Sequence, residues 1–178
     1  LKPSEIPLNE AFDMSVDGGE PKVMCKTVTP QTPSGRIELF SQDLEDKWGA
    51  GIPTFRPAEK TRPFTVISPS SSKRTNATFG NGAPSAGAEI VEIHPEDAKA
   101  HGIGDGRPVT LSNDLGQVTL IAKISDAVKP GVLYSPKGTW LKSSDTGQTV
   151  NALIPSDIRA DIEDGAVYNE TFVDIEAA

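Results

Sequence analysis

The chain has 178 residues, 36% of them hydrophobic and 24% charged, with 17 basic against 25 acidic side chains and a net charge of −8. That composition suits one globular domain with a full core. Its acidity excludes a general nucleic-acid surface while still allowing a local basic cluster to hold a small anion. The single cysteine, Cys25, excludes an internal disulfide and any multi-cysteine metal or iron–sulfur site. It also favours a reducing, cytoplasmic compartment over the periplasm. No apolar run is long enough to insert into a membrane; the longest, such as residues 118–122, are strand-sized. The chain begins at Leu1 without a basic and apolar leader, so no signal peptide is visible, and a longer parent polypeptide is expected.

Glycine (16) and proline (15) punctuate the chain densely, which predicts a strand-rich fold with many turns. Residues 1–60 read as a linker or wrap. Within it, Gly18-Gly19 and residues 30–33 mark loops, and residues 36–40 alternate like a half-buried strand. Residues 41–48 predict one short helix with Ser41 as its N-cap, and residues 53–63 an extended connector.

The pattern becomes more regular over residues 61–178. Residues 64–68 read as a strand that ends in a polar loop, residues 69–76, and residues 88–93 as a second strand. His94-Pro95-Glu96-Asp97-Ala98 opens a short helix, because proline fits the first turn and acids favour its positive end. His101-Gly102 closes that helix. Residues 108–112 and 117–124 predict a hairpin around Asn113-Asp114-Leu115-Gly116. Lys129-Pro130-Gly131 precedes a strand at 132–134, and the last strand is expected at 171–175. About seven strands with one or two short helices predict a closed barrel, the architecture that hides every strand edge.

Several motifs resemble one family. Glu92-Ile93-His94-Pro95-Glu96-Asp97-Ala98, Gly102-Ile103-Gly104-Asp105-Gly106 and Asn113-Asp114-Leu115-Gly116 look like the molybdopterin-dinucleotide-binding domain that ends members of the dimethyl-sulfoxide-reductase family of molybdenum oxidoreductases, formate dehydrogenases and nitrate reductases among them. Four more pieces fall in the family's order: Thr32-Pro33-Ser34-Gly35-Arg36-Ile37-Glu38-Leu39, the stretch from Ile67-Ser68-Pro69 to Thr78-Phe79-Gly80-Asn81, Val128-Lys129-Pro130-Gly131-Val132, and Gln148-Thr149-Val150-Asn151-Ala152-Leu153. The resemblance implies a mainly β fold, a double-psi β-barrel with one or two short helices behind an extended N-terminal wrap. It also implies a bis(molybdopterin guanine dinucleotide) cofactor with molybdenum or tungsten, shared with upstream domains of the same polypeptide. The metal ligand, and any iron–sulfur cluster, would lie in those domains. This segment alone is then expected to be inactive, with no catalytic and no metal-ligating residue of its own. Two departures from the family pattern, Leu115 in the hairpin turn where many members carry arginine and Ser70-Ser71-Ser72-Lys73-Arg74 in the first loop, leave the subfamily and substrate open.

The candidate cofactor-binding residues follow from what a pterin and a pyrophosphate require. Ser68, Ser70, Ser71, Ser72, Lys73, Arg74 and Asn76 place hydroxyls, an amide and two cations directly after a strand, a mixture able to meet both phosphate oxygens and ring edges. A solvated surface loop is the plain alternative; the resemblance implies that this loop grips the dinucleotide. Trp140 reads equally as the wall of a funnel or as a core aromatic. Asn151 offers a two-sided amide to a pterin edge, and Asn169 stands just before the last strand as a further polar contact. Asn113 and Asp114 read as turn formers.

Other motifs are weaker. Asp145-Thr146-Gly147 matches the aspartic-protease triplet but follows Lys142-Ser143-Ser144 rather than an apolar strand. The sequons at Asn76 and Asn169 have no visible secretory signal to support them. His94 and His101 have helix-end roles, and Cys25 is remote from both. The competing function is a double-psi-barrel adaptor or substrate-recognition module without cofactor. A self-processing decarboxylase on the same barrel needs a Gly-Ser pair, which the chain lacks.

Overall fold

The structure, a computed structural model, describes residues 2–6, 8–9, 22–81, 89–158 and 165–178. The chain divides into two compact units, Leu1–Phe55 and Arg56–Ala178. Gly18-Gly19, expected as a loop, and Ala88, expected to open a strand, lie outside the described residues.

In the first unit, a short 3-10 turn (Pro3–Glu5) precedes one helix, α1 (Gln42–Trp48). Ser41 caps α1 by accepting a hydrogen bond from Leu44 N at 3.3 Å, and Gly49 ends it at φ 62°, where its N–H reaches Glu45 O at 2.8 Å. The strand expected at residues 36–40 is absent: this stretch is exposed and carries no ladder. Some of its polar groups bond locally instead. Thr32 Oγ1 donates to Arg36 O at 2.6 Å, and the Glu38 carboxylate accepts from Ser34 N and Oγ at 3.2 and 2.6 Å. Alternation makes a strand only where a second strand completes the hydrogen bonds.

The second unit is a closed barrel of six strands rather than about seven: β1 (Phe64–Ile67), β2 (Ile90–Ile93), β3 (Pro108–Asn113), β4 (Gly116–Ile124), β5 (Val132–Tyr134) and β6 (Thr171–Ala177). The order around the barrel is β1-β5-β2-β4-β3-β6. Two neighbouring pairs are parallel, β1 with β5 and β2 with β4, and the other four are antiparallel. This is the double-psi barrel, mainly β, with only two α-helices among the described residues.

Apart from β3, which buries Val109, Thr110 and Leu111 in succession, the strands bury alternate residues. Phe64 and Val66, Val91 and Ile93, Val118, Leu120 and Ala122, Leu133, and Val173 and Ile175 point inward. Full burial of each of the larger of these side chains contributes about 1.5–3 kcal/mol, which is why the alternation holds the register.

The second helix, α2 (Pro95–Ala100), covers one end of the barrel. His94 caps it through Nδ1, which accepts from Glu96 N at 3.2 Å, and Pro95 fills its first turn. Gly102, at φ 65°, follows the C-cap residue His101. The Asp97 carboxylate accepts from Gly131 N at 2.7 Å, tying α2 to the turn before β5. Phe64 meets the His101 ring edge-on with centroids 5.2 Å apart. This end is packed, and among the described residues no buried side-chain polar atom there lacks a partner.

Candidate functional site

The opposite end is built differently. β1 and β5 run parallel and leave the barrel there, each through a Ser-Pro step: Ser68-Pro69 and Ser135-Pro136. Ile67 pairs with Tyr134, and the ladder continues past both strands, with Ser135 N donating to Ile67 O and Lys137 N to Pro69 O, each at 3.1 Å. β6 enters at this end after Asn169, and β2 after Glu89. Alternation along the strands turns Ser68, Ser135 and Thr171 inward, and all three are buried.

Thr171 Oγ1 donates to Val167 O at 3.2 Å. The Ser68 hydroxyl has no hydrogen-bond partner although it is fully buried. An orphan of that kind costs about 1–3 kcal/mol.

The predicted site residues differ in placement. Ser68 and Asn169 are brought together across 101 positions of sequence: Asn169 Oδ1 accepts from Ser68 N at 3.1 Å, which turns the amide nitrogen of Asn169 the other way as a donor. Ser70, Ser72, Lys73 and Asn76 are exposed and Ser71 is half-buried, and from Ser71 onward the chain makes two successive tight turns, bridged Ser71 to Arg74 and Thr75 to Thr78. Asn76 sits at φ 50° within the second. Arg74 differs from its neighbour Lys73, being 4% exposed, with Nε donating to Lys137 O at 3.1 Å and Nη2 to Thr139 Oγ1 at 3.4 Å. Trp140 stands at the surface, outside the core, and its Nε1 donates to Ala77 O at 2.6 Å. Asn151, exposed on the 3-10 turn Val150–Leu153, shares a narrow cleft with Ser135, Gly138, Thr139 and Gln148.

A larger groove of about 460 Å³ contains none of these residues. Volume alone would place a ligand there, but charge argues otherwise for an anion. Among the described residues its rim carries Glu59, Asp114, Asp157 and Glu170 against one cation, Arg62, which is already committed to Asp114 at 2.5 Å and to Asp174. The hydrogen bond to Asp174, reinforced by the charge of Asp114, holds the guanidinium above its ordinary range. Asp114, expected only to form a turn, thus also pairs with Arg62. Asn113 does form the turn, accepting from Leu115 N at 3.0 Å and donating to Leu153 O at 2.7 Å. Asp145-Thr146-Gly147 is a loop, its Asp145 N donating to both oxygens of Glu89 at 3.0 Å. Among the described residues, no group of His, Cys, Asp and Glu gathers to hold a metal.

Sequence reasoning missed five residues at this end: Ser135, Lys137, Thr139, Glu89 and Tyr168. Lys137 Nζ lies 4.4 Å over the Tyr168 ring, next to Asn169. One signal was visible, the repeat of Ser-Pro directly after two strands. The others have none, because loop residues carry no period.

The second unit is thus a closed double-psi barrel with a helix at one end and hydroxyls, amides and cations gathered at the other. Residues 64–172 match the model of the Molydopterin dinucleotide binding domain, and the chain belongs to this family, as found in molybdoenzymes of the dimethyl-sulfoxide-reductase type. It is 35% identical over 150 residues to Probable oxidoreductase YoaE of Bacillus subtilis (strain 168), covering 82% of this chain and 22% of that protein. It is 34% identical over 133 residues to the dimethyl sulfoxide/trimethylamine N-oxide reductase of Cereibacter sphaeroides, covering 66% of this chain and 16% of that one. Against dimethyl sulfoxide reductase DmsA of Escherichia coli (strain K12) it is 30% identical over 146 residues, 68% of this chain and 18% of that protein. The chain thus spans between 16% and 22% of the length of these relatives. The acetylene hydratase of Pelobacter acetylenicus shares the fold, with a TM-score of 0.67 at 18% identity over 83% of this chain and 24% of that one.

Proposed function

We propose that the open mouth of the barrel holds a bis(molybdopterin guanine dinucleotide) carrying molybdenum or tungsten, in concert with upstream domains of a longer oxidoreductase. The observation that carries this reading is the buried, unpartnered Ser68 hydroxyl beside the oriented amide of Asn169. The donor set fits the group. Ser70, Ser71, Ser72 and Lys73 offer charge-assisted and neutral donors to pyrophosphate oxygens, while Ser68, Asn76, Asn151 and Asn169 offer both donors and acceptors to a pterin edge. Trp140, part-exposed and held by Ala77 O, would wall the entrance.

When bound, the pterin-held metal supplies two-electron or oxygen-atom transfer; this chain binds, orients and shields it. The metal ligand, and any iron–sulfur cluster, belong to the upstream part, so the 178-residue chain alone has no turnover. The adaptor reading, with no cofactor, has no observation in its favour.

The test uses the longer polypeptide. Lys73→Ala and Asn151→Ala lower the metal bound per protein, and the guanine nucleotide released on acid hydrolysis, more than they lower the turnover of each loaded molecule. Metal content at the unsubstituted level in both variants contradicts the proposal.

A further inference from the structure

The two adjacent cations of the first loop face opposite ways, and this separates their roles. Lys73 is exposed, whereas Arg74 is buried, with Nε donating to Lys137 O and Nη2 to Thr139 Oγ1. Between those two acceptors lies Gly138, at φ 100°, a conformation that favours glycine. A Cβ there would stand 1.9 Å from Asn76 O and 2.9 Å from Arg74 Nε, so the two loops touch backbone to backbone. The next residues continue the seam. Trp140 Nε1 donates to Ala77 O, and a Cβ on Gly80 would meet Gly138 O and Trp140 Cδ1, each at 2.4 Å.

We propose that Arg74 is a positioning residue, a strut that clamps the loop after β5 onto the loop after β1, and not a ligand-facing cation. It acts through Lys137, Gly138 and Thr139. Gly138 and Thr139 line the cleft that holds Asn151, and Lys137 lies over Tyr168, next to Asn169. Arginine suits the task because a planar fork donates to a carbonyl and a hydroxyl in fixed directions, whereas a lysine ammonium is a single point on a flexible stem.

The inference rests on the proposed cofactor site only for its consequence, since the clamp itself is a property of the chain. The chain has two tryptophans, Trp48 and Trp140, so Trp48→Phe leaves Trp140 as a sole reporter of the seam. The variants Arg74→Ala, Arg74→Lys and Lys73→Ala are compared in that background, below their melting temperatures, by Trp140 emission and acrylamide quenching, and by titration with guanosine diphosphate.

The strut predicts a red-shifted, more quenchable Trp140 in Arg74→Ala, no rescue by Arg74→Lys, and unchanged emission with weaker nucleotide binding in Lys73→Ala. Unchanged emission and quenching in Arg74→Ala, together with lost nucleotide binding, would overturn it and make Arg74 a direct contact. If Lys73→Ala binds nucleotide as well as its parent while Arg74→Ala still exposes Trp140, the strut stands and the binding site is wrong. Should Arg74→Ala fail to fold, Thr139→Val reads the same seam from its other side: greater quenching supports the strut, and unchanged quenching overturns it.

Discussion

The two ends of the barrel are made from the same six strands and are finished in opposite ways. At the α2 end, apolar residues such as Ile103 and Phe64 close the core, and a carboxylate, Asp97, satisfies a turn N–H on the neighbouring connection. At the other end the inward positions are taken by Ser68, Ser135 and Thr171, one hydroxyl lacks a partner, and amides and a lysine stand exposed above it. The difference is energetic. One end closes on apolar packing, and the other carries a buried hydroxyl without a partner at a cost in stability, which fits the proposed ligand site.

Substitutions at each end test that division. Ile103→Ala, at the packed end, is expected to cost about 2–5 kcal/mol in denaturant unfolding, with ligand binding unchanged below the transition. Asp97→Ala removes the charged acceptor of Gly131 N and should cost about 1.5–3 kcal/mol by the same measurement. Ser68→Ala reverses the sign. It deletes a buried group without a partner, so the ligand-free chain should be as stable as the parent or more stable by about 1 kcal/mol, while binding at the mouth weakens. A large loss of stability in Ser68→Ala would erase the contrast between the ends.

The smallest effect concerns Lys123, which pairs with Glu92 across β2 and β4 at 2.7 Å. The hydrogen bond and charge of Glu92 hold its ammonium above the ordinary lysine range. A base whose pKa is raised on folding contributes stability that is present below the unfolded value and is lost as pH rises through the folded one. The chain should therefore lose a small increment of stability only at strongly alkaline pH. Lys123→Met should remove that alkaline slope and leave the two ends unchanged, and thermal melts across that pH range would check it.

Much of the barrel was legible because its strands bury one face. Phe64 with Val66, Val91 with Ile93, and Val173 with Ile175 sit two positions apart as a half-buried strand requires. The ends of α2 were legible from His94-Pro95 and Gly102, whose conformational preferences are local. The strand expected at residues 36–40 failed for a non-local reason, since nothing in its own alternation says whether a neighbour will complete the ladder.

The site divided along the same line. That a polar loop follows β1 could be read from Ser68-Pro69 onward, whereas the opposite facing of Lys73 and Arg74 could not. It is set by Gly138 and Lys137, more than sixty positions away. The pairing of Ser68 with Asn169 is likewise a consequence of β1 lying beside β6. Order along the chain located the loops, and only closure of the barrel decided which side chains they share.

The most direct test of the central claim is amide chemical-shift mapping of the isotopically labelled chain during titration with guanosine diphosphate. The account predicts perturbations clustered at residues 68–76, 135–140, 148–151 and 169, with the α2 end silent. Perturbations centred on the groove around Arg62, Leu115 and Phe172, or at the α2 end, would contradict it.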